Sequence, residues 1–571
     1  MAQALKKSPW LRDLVLISML SVFAWAALLS PDYFLGAHDA PHSLFFLTEF
    51  HQNIVEGTLI PRWGTDHAWG YGYPTFIFYS PLAFYVAEAF HLLGLSKVVA
   101  VKITFILAFI FSGWAMYGYA RRLFGRGAGL VAALVYIYMP YHLVDIYVRC
   151  ALSEFCAFVF LPLVLWAFYE LIEEGGARRV AFAALSYAGL ILTHNATFLL
   201  FTPILALYVL FLLLHKGWST KRWGAVIGAF LLAFALSAFF LLPMFAERKY
   251  ISLEQWTRAT YSYDEHFIYP AQFLSPFWDW GYSVAGPEDT MPFQLGLPAL
   301  ALALFAVVWR WRNGHVLLFL GIALGAIFFM TSASTPLWQA LPIAALVQFP
   351  WRLLALTTIS LSVLAGAACQ VREDGGLNAA VYVLLLVIVF ASSGYARPEY
   401  TPPPERAETP LGVLDFERAH PDMVGMTAWS QFQPETSPLV EQYLAGGPLV
   451  KAHILEGEGE VEPVRHGGAS EEALVRAAGE ITLQFYTYYY PGWRGYVDGK
   501  GVEIWPEPPL GLITMKVPAG EHRVSIKFRD IPVRVAGKVI SALGAAAVFL
   551  LLTRAVKTLP QVLEPAGGSP L

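Results

Sequence analysis

Charge is scarce in this chain. Only 14% of its 571 residues are Asp, Glu, Lys or Arg, while 57% are hydrophobic and the mean hydropathy is +0.53. A soluble domain carries about 25% charged residues. The apolar residues come in long blocks, which excludes an ordinary soluble class and predicts a polytopic membrane protein. Cysteine is scarcer still: Cys150, Cys156 and Cys369 lack metal-ligand spacing, which argues against a disulfide framework or a cysteine metal site. No Gly-rich loop is placed to cradle a nucleotide diphosphate. The first apolar block, 14–30, has no small-residue cleavage site after it and is read as a retained helix.

What is present is a series of apolar blocks with arginines at alternate ends. Lys6, Lys7 and Arg12 precede the first block, which predicts a cytoplasmic N-terminus by the positive-inside rule. Further blocks at 98–119, 127–140, 155–171, 180–192, 196–214, 225–243, 295–308, 317–330, 353–368, 377–392 and 536–552 bring the expectation to about twelve spans. Arg372 marks one cytoplasmic turn, and Arg554 and Lys557 return the C-terminus there. The block 76–94 is broken by Pro81 and carries Glu88 and His91, so it is read as an interfacial helix. The fold expected is therefore mainly α: a transmembrane bundle over 1–396, an extracytoplasmic β-rich domain over 397–534, and a last helix with its tail over 535–571.

The outer domain opens with Pro402, Pro403 and Pro404. Residues 481–490 are β-prone, Asp498 and Gly499 signal a hairpin, and Pro518, Ala519 and Gly520 a turn. A β-sandwich or jelly-roll-like domain is predicted.

One loop gathers much of the scarce charge. Residues 31–97 form the first outer loop, and within it lie His38, Asp39, His42, Glu49, His51, Glu56, Arg62, Asp66 and His67. A membrane protein has little structural need for such a loop, which reads as a reaction site. Asp39 precedes Ala40 and Pro41, so it also fits a helix N-cap. His38 and His42 flank Asp39 and join it as catalytic candidates. A divalent cation on these groups is one reading and surface hydrogen bonding the other. Beside Asp66, His67 reads as a turn residue. Trp63 to Tyr79 is dense in aromatics, read as interfacial anchors with one or two rings left to stack on a substrate ring.

Asp145, Arg149 and Glu154 lie close to apolar spans, where charge is costly unless paired or used. Asp145 and Arg149 are spaced to pair on a helix, while Arg149 also suits a phosphate. Arg352 follows Trp351 at the outer end of a span, against the positive-inside trend, so it meets phosphate or snorkels to headgroups. His194 and Asn195 are either a helix-cap pair or pocket residues.

The acidic outer loop, the interfacial Tyr79, Ser80, Pro81, Leu82, Ala83, Phe84 and Tyr85, and the span ending at Arg121, Arg122, Leu123, Phe124, Gly125 and Arg126 together resemble the GT-C superfamily of membrane glycosyltransferases. Gln348, Phe349, Pro350, Trp351 and Arg352, with Tyr490, Pro491, Gly492 and Trp493, resemble the YfhO-type branch. The block 39–79 and the run 141–149 resemble the 6-pyruvoyl-tetrahydropterin-synthase-related membrane proteins. The resemblance implies a sugar donor on a polyprenyl phosphate at the outer leaflet and an extracytoplasmic glycan, lipid or protein acceptor. It makes Asp39 the match to the acid that serves GT-C enzymes as base or metal ligand. Where many relatives have two adjacent acids, this chain has His38 and Asp39. Arg149 and Arg352 are then expected at the donor phosphate, with Asp66, Asp145, Glu154, His194, Asn195 and Trp351 as further pocket candidates. The metal is left unassigned. The rival readings are a flippase for lipid-linked sugars and a non-catalytic scaffold for the outer domain.

Overall fold

The computed structural model describes residues 8–252, 261–341, 346–369 and 379–554. Lys6, Lys7, Arg372 and Lys557, part of the topology argument, lie outside the described residues.

Helices stand wherever the apolar blocks predict them. Pro9–Trp25, Lys97–Phe124, Arg126–Tyr138, Leu152–Glu174, Ala177–Thr193 and Asn195–Lys216 make the first half. Thr220–Leu236, Leu297–Arg310, Gly314–Phe329, Leu354–Ala368, Ala379–Ser392 and Pro532–Arg554 complete it. Among the described residues seven stretches are long and apolar enough to cross a membrane, or up to nine if each of two bent pairs counts as one span. By length and composition the count thus falls short of about twelve, because Ala177–Thr193, Leu297–Arg310 and Ala379–Ser392 are short. Leu82–Leu92 has 11 residues, roughly 16 Å at helical rise, too short for a hydrocarbon core of about 30 Å.

Within Arg126–Tyr147, residues 127–147 are all buried, inside the bundle. Small residues let its neighbours approach: a Cβ at Gly366 would stand 2.8 Å from the Ala128 carbonyl oxygen. Near the start of the first helix, Asp13 accepts from Arg126 through Nη2 (2.7 Å) and Nε (2.8 Å). Arg122 pairs with Glu170 at 2.7 Å and with Glu174. The arginines that the sequence places in one loop thus meet acids at one end of the bundle.

The C-terminal unit has nine strands in two antiparallel sheets. One has the order β1-β4-β8-β7, with β1 Ala452–Glu456, β4 Ile481–Tyr488, β7 Trp505–Glu507 and β8 Leu512–Val517. The other has the order β2-β3-β9-β5-β6, with β2 Gly459–His466, β3 Ser470–Ala477, β5 Trp493–Val497, β6 Lys500–Val502 and β9 Gly520–Phe528. Leu483, Ile513 and Met515 from the first sheet share one core with Val475, Val524 and Ile526 from the second. The expected hairpin is present: Val497 pairs with Lys500 around Asp498 and Gly499, both at positive φ. The stretch before β1 is helical in part, with Pro410–Ala419 and Leu439–Ala445.

The first loop does not lie on the membrane surface as an aromatic belt. Trp63, Trp69, Tyr71 and Tyr73 are buried in the same core as the sheets. The Tyr488 N–H donates to the Tyr71 carbonyl at 2.8 Å, continuing β4 onto the loop. Gly72 sits at φ +78°, and a Cβ there would stand 2.3 Å from Trp63 Nε1, so only glycine fits that close turn. These rings anchor the sheets to the bundle, which corrects both the interfacial and the substrate-stacking expectation for them. At the other border Arg534 is fully buried against Glu247, with bonds of 2.9 Å and 2.7 Å. Its guanidinium also donates to the carbonyls of Arg529 and Pro491. A Cβ at Gly492 would come within 2.5 Å of it.

Candidate active site

The helix Ala40–Val55 carries the site at its first turn. Pro41 suits that position, where an N–H has no helical partner. The Asp39 side chain makes no capping hydrogen bond, so the N-cap reading does not hold it. Instead the backbone fixes it. The His38 N–H donates to the Val148 carbonyl at 3.2 Å and the Asp39 N–H to the Arg149 carbonyl at 2.6 Å. Asp39 thereby meets the 141–149 run, and its carboxylate stays 40% exposed with the buried Arg149 guanidinium 3.7 Å away.

Arg149 is the hub beneath it. It pairs with Asp145, as the four-residue spacing predicts, and with Glu154 at 2.9 Å. Its guanidinium lies 4.6 Å from the Trp351 ring centroid. With its side chain 4% exposed and three carboxylates around it, Arg149 has no face left for a phosphate. The expected phosphate role therefore moves away from it, and Asp145 and Glu154 become its counter-ions. Glu154 also accepts from the Tyr141 hydroxyl at 2.7 Å.

Arg352 stands at the edge of the cluster. Its Nε lies 3.6 Å from Glu154 and makes no hydrogen bond, while Nη1 donates to the Val347 carbonyl at 2.9 Å. Trp351 is buried with its Nε1 likewise unbonded. These two donors are the groups an incoming anion can satisfy.

The histidines divide. His42 lies 3.8 Å from Asp39, and burial pulls it down to about 4; it is neutral at neutral pH. Burial lowers His38 to about 4, and its Nε2–H donates to the Gly281 carbonyl, 3.1 Å away. It ties down a loop. His194 caps the helix Asn195–Lys216 through Thr197. Burial lowers it to about 4, with the positive Arg352 and Arg149 adding to the effect and Glu154 and Asp39 opposing it. Cap and pocket neighbour are thus both true of His194. Asn195 is not a pocket residue: its Nδ2 donates to the Phe78 carbonyl at 2.5 Å and its Oδ1 accepts from Ser80.

Asp66 does not join the site. It is fully buried at the seam with the sheets, accepting from Gln52 at 2.8 Å, from His466 at 3.0 Å and from Tyr443. His466 also reaches Glu471 at 2.8 Å, and Lys451 reaches Glu471 at 3.2 Å. Burial works against charge on His466, yet Glu471 and Asp66 outweigh it and push it up to about 10. Glu49, 3.2 Å from the Asp66 N–H, is raised by burial and by the Asp66 charge. Glu417 accepts from the N–H groups of Ala68 and Trp69, both at positive φ, and burial pushes it up to about 8. His466, Glu471, Lys451, Tyr443 and Glu417 are all remote from Asp66 in sequence, and no local pattern marks them.

Among the described residues no three His, Cys, Asp or Glu side chains converge as a metal site. A cation on Asp39 would have the Arg149 guanidinium as its neighbour at 3.7 Å, which opposes it. The donor set does not fit a protein-held metal.

A helical bundle with a built charge cluster at one end, capped by a two-sheet unit, defines an integral membrane protein with an enclosed polar site. The chain belongs to the 6-pyruvoyl-tetrahydropterin synthase related domain family of membrane proteins, whose pattern matches residues 76–398. It is similar to an uncharacterized protein of Lactococcus lactis subsp. cremoris (strain MG1363), 26% identical over 205 residues, covering 34% of this chain and 33% of that one. The chain thus matches about a third of that relative's length. Among solved structures it is similar to the arabinofuranosyltransferase AftD from Mycobacteria, at 16% identity and a TM-score of 0.37 over 68% of this chain and 26% of that chain. It is also similar to the Archaeoglobus fulgidus oligosaccharyltransferase in the apo form, at 13% identity and a TM-score of 0.35 over 76% and 62% of the two chains. At such TM-scores the likeness in shape is remote.

Proposed function

We propose that the protein is a GT-C-type glycosyltransferase that moves a sugar from a polyprenyl-phosphate donor to an extracytoplasmic acceptor, with both termini cytoplasmic. The observation that carries this reading is the pairing of the half-open Asp39 carboxylate with a buried, fully countered Arg149 at one end of an apolar bundle. The GT-C resemblance of the first loop supports it. A base must reach the proton it takes, and Asp39 is the acid of this cluster that faces outward. The acceptor hydroxyl gives its proton to Asp39 as its oxygen bonds to the sugar C1. The C1–O bond to phosphate breaks, and the lipid phosphate leaves with the electron pair. One displacement inverts the anomeric centre.

Arg352 Nε and Trp351 Nε1, both buried and unbonded, would receive the phosphate oxygens and stabilise charge building there. Arg149 acts through Asp39 by holding the electrostatic floor of the site. No step requires a metal. The test is mass spectrometry of cell-envelope glycans from strains with the protein, without it, and with the Asp39→Asn variant. The reading expects one glycan substituent to vanish in both defective strains; unchanged glycans in the deletion strain would overturn it.

A further inference from the structure

Asp39 opens between two walls that lie far from it in sequence. The first is the loop carrying Tyr282. The His38 ring stacks on the Tyr282 ring at 4.1 Å and 15°, while His38 Nε2 meets the Gly281 carbonyl. The residue next to the carboxylate thus clamps this loop. Asp289 fixes the same loop from its far side, accepting from Ser283 at 2.8 Å, the Val284 N–H at 3.1 Å and the Met291 N–H at 2.9 Å. A loop tied at both sides still leaves Tyr282 52% exposed. Burial and then the Asp39 charge raise the Tyr282 hydroxyl, in keeping with the stacking that sets this ring beside the residue next to Asp39. The second wall follows the helix Pro410–Ala419: Phe416 packs on His42 at 4.4 Å and on His420 at 4.7 Å, and the exposed Asp422 lies two residues on. His42 in turn lies 3.8 Å from Asp39, so this wall too borders the acid.

We infer that this cleft is the acceptor-sugar subsite, in which the exposed face of Tyr282 stacks on the sugar ring and Asp422 accepts from its hydroxyls. The inference rests on the glycosyl-transfer reading of Asp39. The hydroxyl that Asp39 deprotonates must lie within hydrogen-bond reach of it, so the sugar bearing that hydroxyl has to lie against these walls. A rigid exposed ring beside a carboxylate suits the occupant, because a sugar offers an apolar C–H face and a hydroxyl edge. A loop pinned before binding pays little ordering cost. The rings at Trp63 to Tyr73 are sealed in the seam and cannot serve.

The test uses the full-length protein in nanodiscs. The probe is the oligosaccharide mixture released from the envelope of a strain lacking the protein, read by saturation-transfer difference NMR on sugar ring protons. Wild type and Tyr282→Phe should show saturation, and so should Asp39→Asn, which keeps the walls. Tyr282→Ala should lose at least five-fold, roughly the worth of one aromatic contact, and Asp422→Asn about two- to five-fold, the worth of a hydrogen bond. Asp422→Asn alters an exposed side chain, so it decides the matter if Tyr282→Ala fails to fold. Wild-type saturation in both Tyr282→Ala and Asp422→Asn, or no saturation in wild type, would overturn the subsite. Failure of the transfer reading looks different: unchanged envelope glycans on deletion of the protein, whatever the NMR shows.

Discussion

Two carboxylate clusters grow from one helix, and their fates are opposite. At its first turn Asp39 is 40% exposed, and its nearest partner is a guanidinium 3.7 Å away. Beyond its far end Asp66 is fully buried and accepts three side-chain hydrogen bonds. The difference separates a carboxylate left free to react from one spent on assembly. A carboxylate that has spent its lone pairs on fixed donors cannot take a proton in a reaction; one held only by its backbone can.

The sharpest way to break the comparison is Asp39→Asn. The side chain caps nothing, so thermal stability should hold while transfer from a radiolabelled polyprenyl-phosphate sugar in proteoliposomes falls by about two to four orders of magnitude. Retained transfer would leave Asp39 without a chemical role. The mirror experiment is His466→Gln at the seam. Removing one partner of a buried charge pair costs about 3 kcal/mol, so thermal unfolding should shift well down. Donor binding below that transition should stay as it was. Arg352→Ala should weaken donor binding and turnover together by roughly ten- to a hundred-fold, the worth of a charge-assisted hydrogen bond. Loss of turnover with full donor affinity would remove Arg352 from the phosphate.

The smallest effect is on pH. His466 is raised from 6.5 to about 10, so its stabilisation is whole below 6.5 and is lost as pH rises through 10. Asp66 is shifted the other way: burial alone would raise it, but His466 and Tyr443 outweigh that and hold it below its ordinary 3.8. Its contribution is present above 3.8 and fades as pH falls toward its folded value. The difference in thermal unfolding between wild type and His466→Gln should therefore be flat between about 4 and 6.5 and shrink as pH rises through 10.

Much of the frame is legible in the chain, and the reason is range. Apolar blocks mark helices because a span is one continuous stretch. Asp145 and Arg149 announce their pair because helical spacing is local. Asp498 and Gly499 announce a hairpin because the turn needs positive φ at both. The seam is silent for the opposite reason. Asp66 finds His466 across 400 positions, and Trp63 looks like a membrane anchor until the sheets that bury it are known. Arg149 read as a phosphate ligand because an isolated arginine suits phosphate; only the fold supplies Asp39 and Glu154 to occupy it. Tyr282 lies in a stretch whose Trp, Tyr and Asp content is visible, but its place over Asp39 is set by His38, which is remote in sequence.

The Arg534 latch also has a consequence for biosynthesis. Glu247 enters the bundle early in translation, but the guanidinium that neutralises it is made only after the last strand. Until then the acid has no countercharge from this latch, and the sheets lack their fastening at this border. A chain interrupted between Phe528 and Arg534 would carry every strand and still strand a carboxylate, a defect worth several kcal/mol. One ion pair thus closes only after the helix that follows β9 has been made.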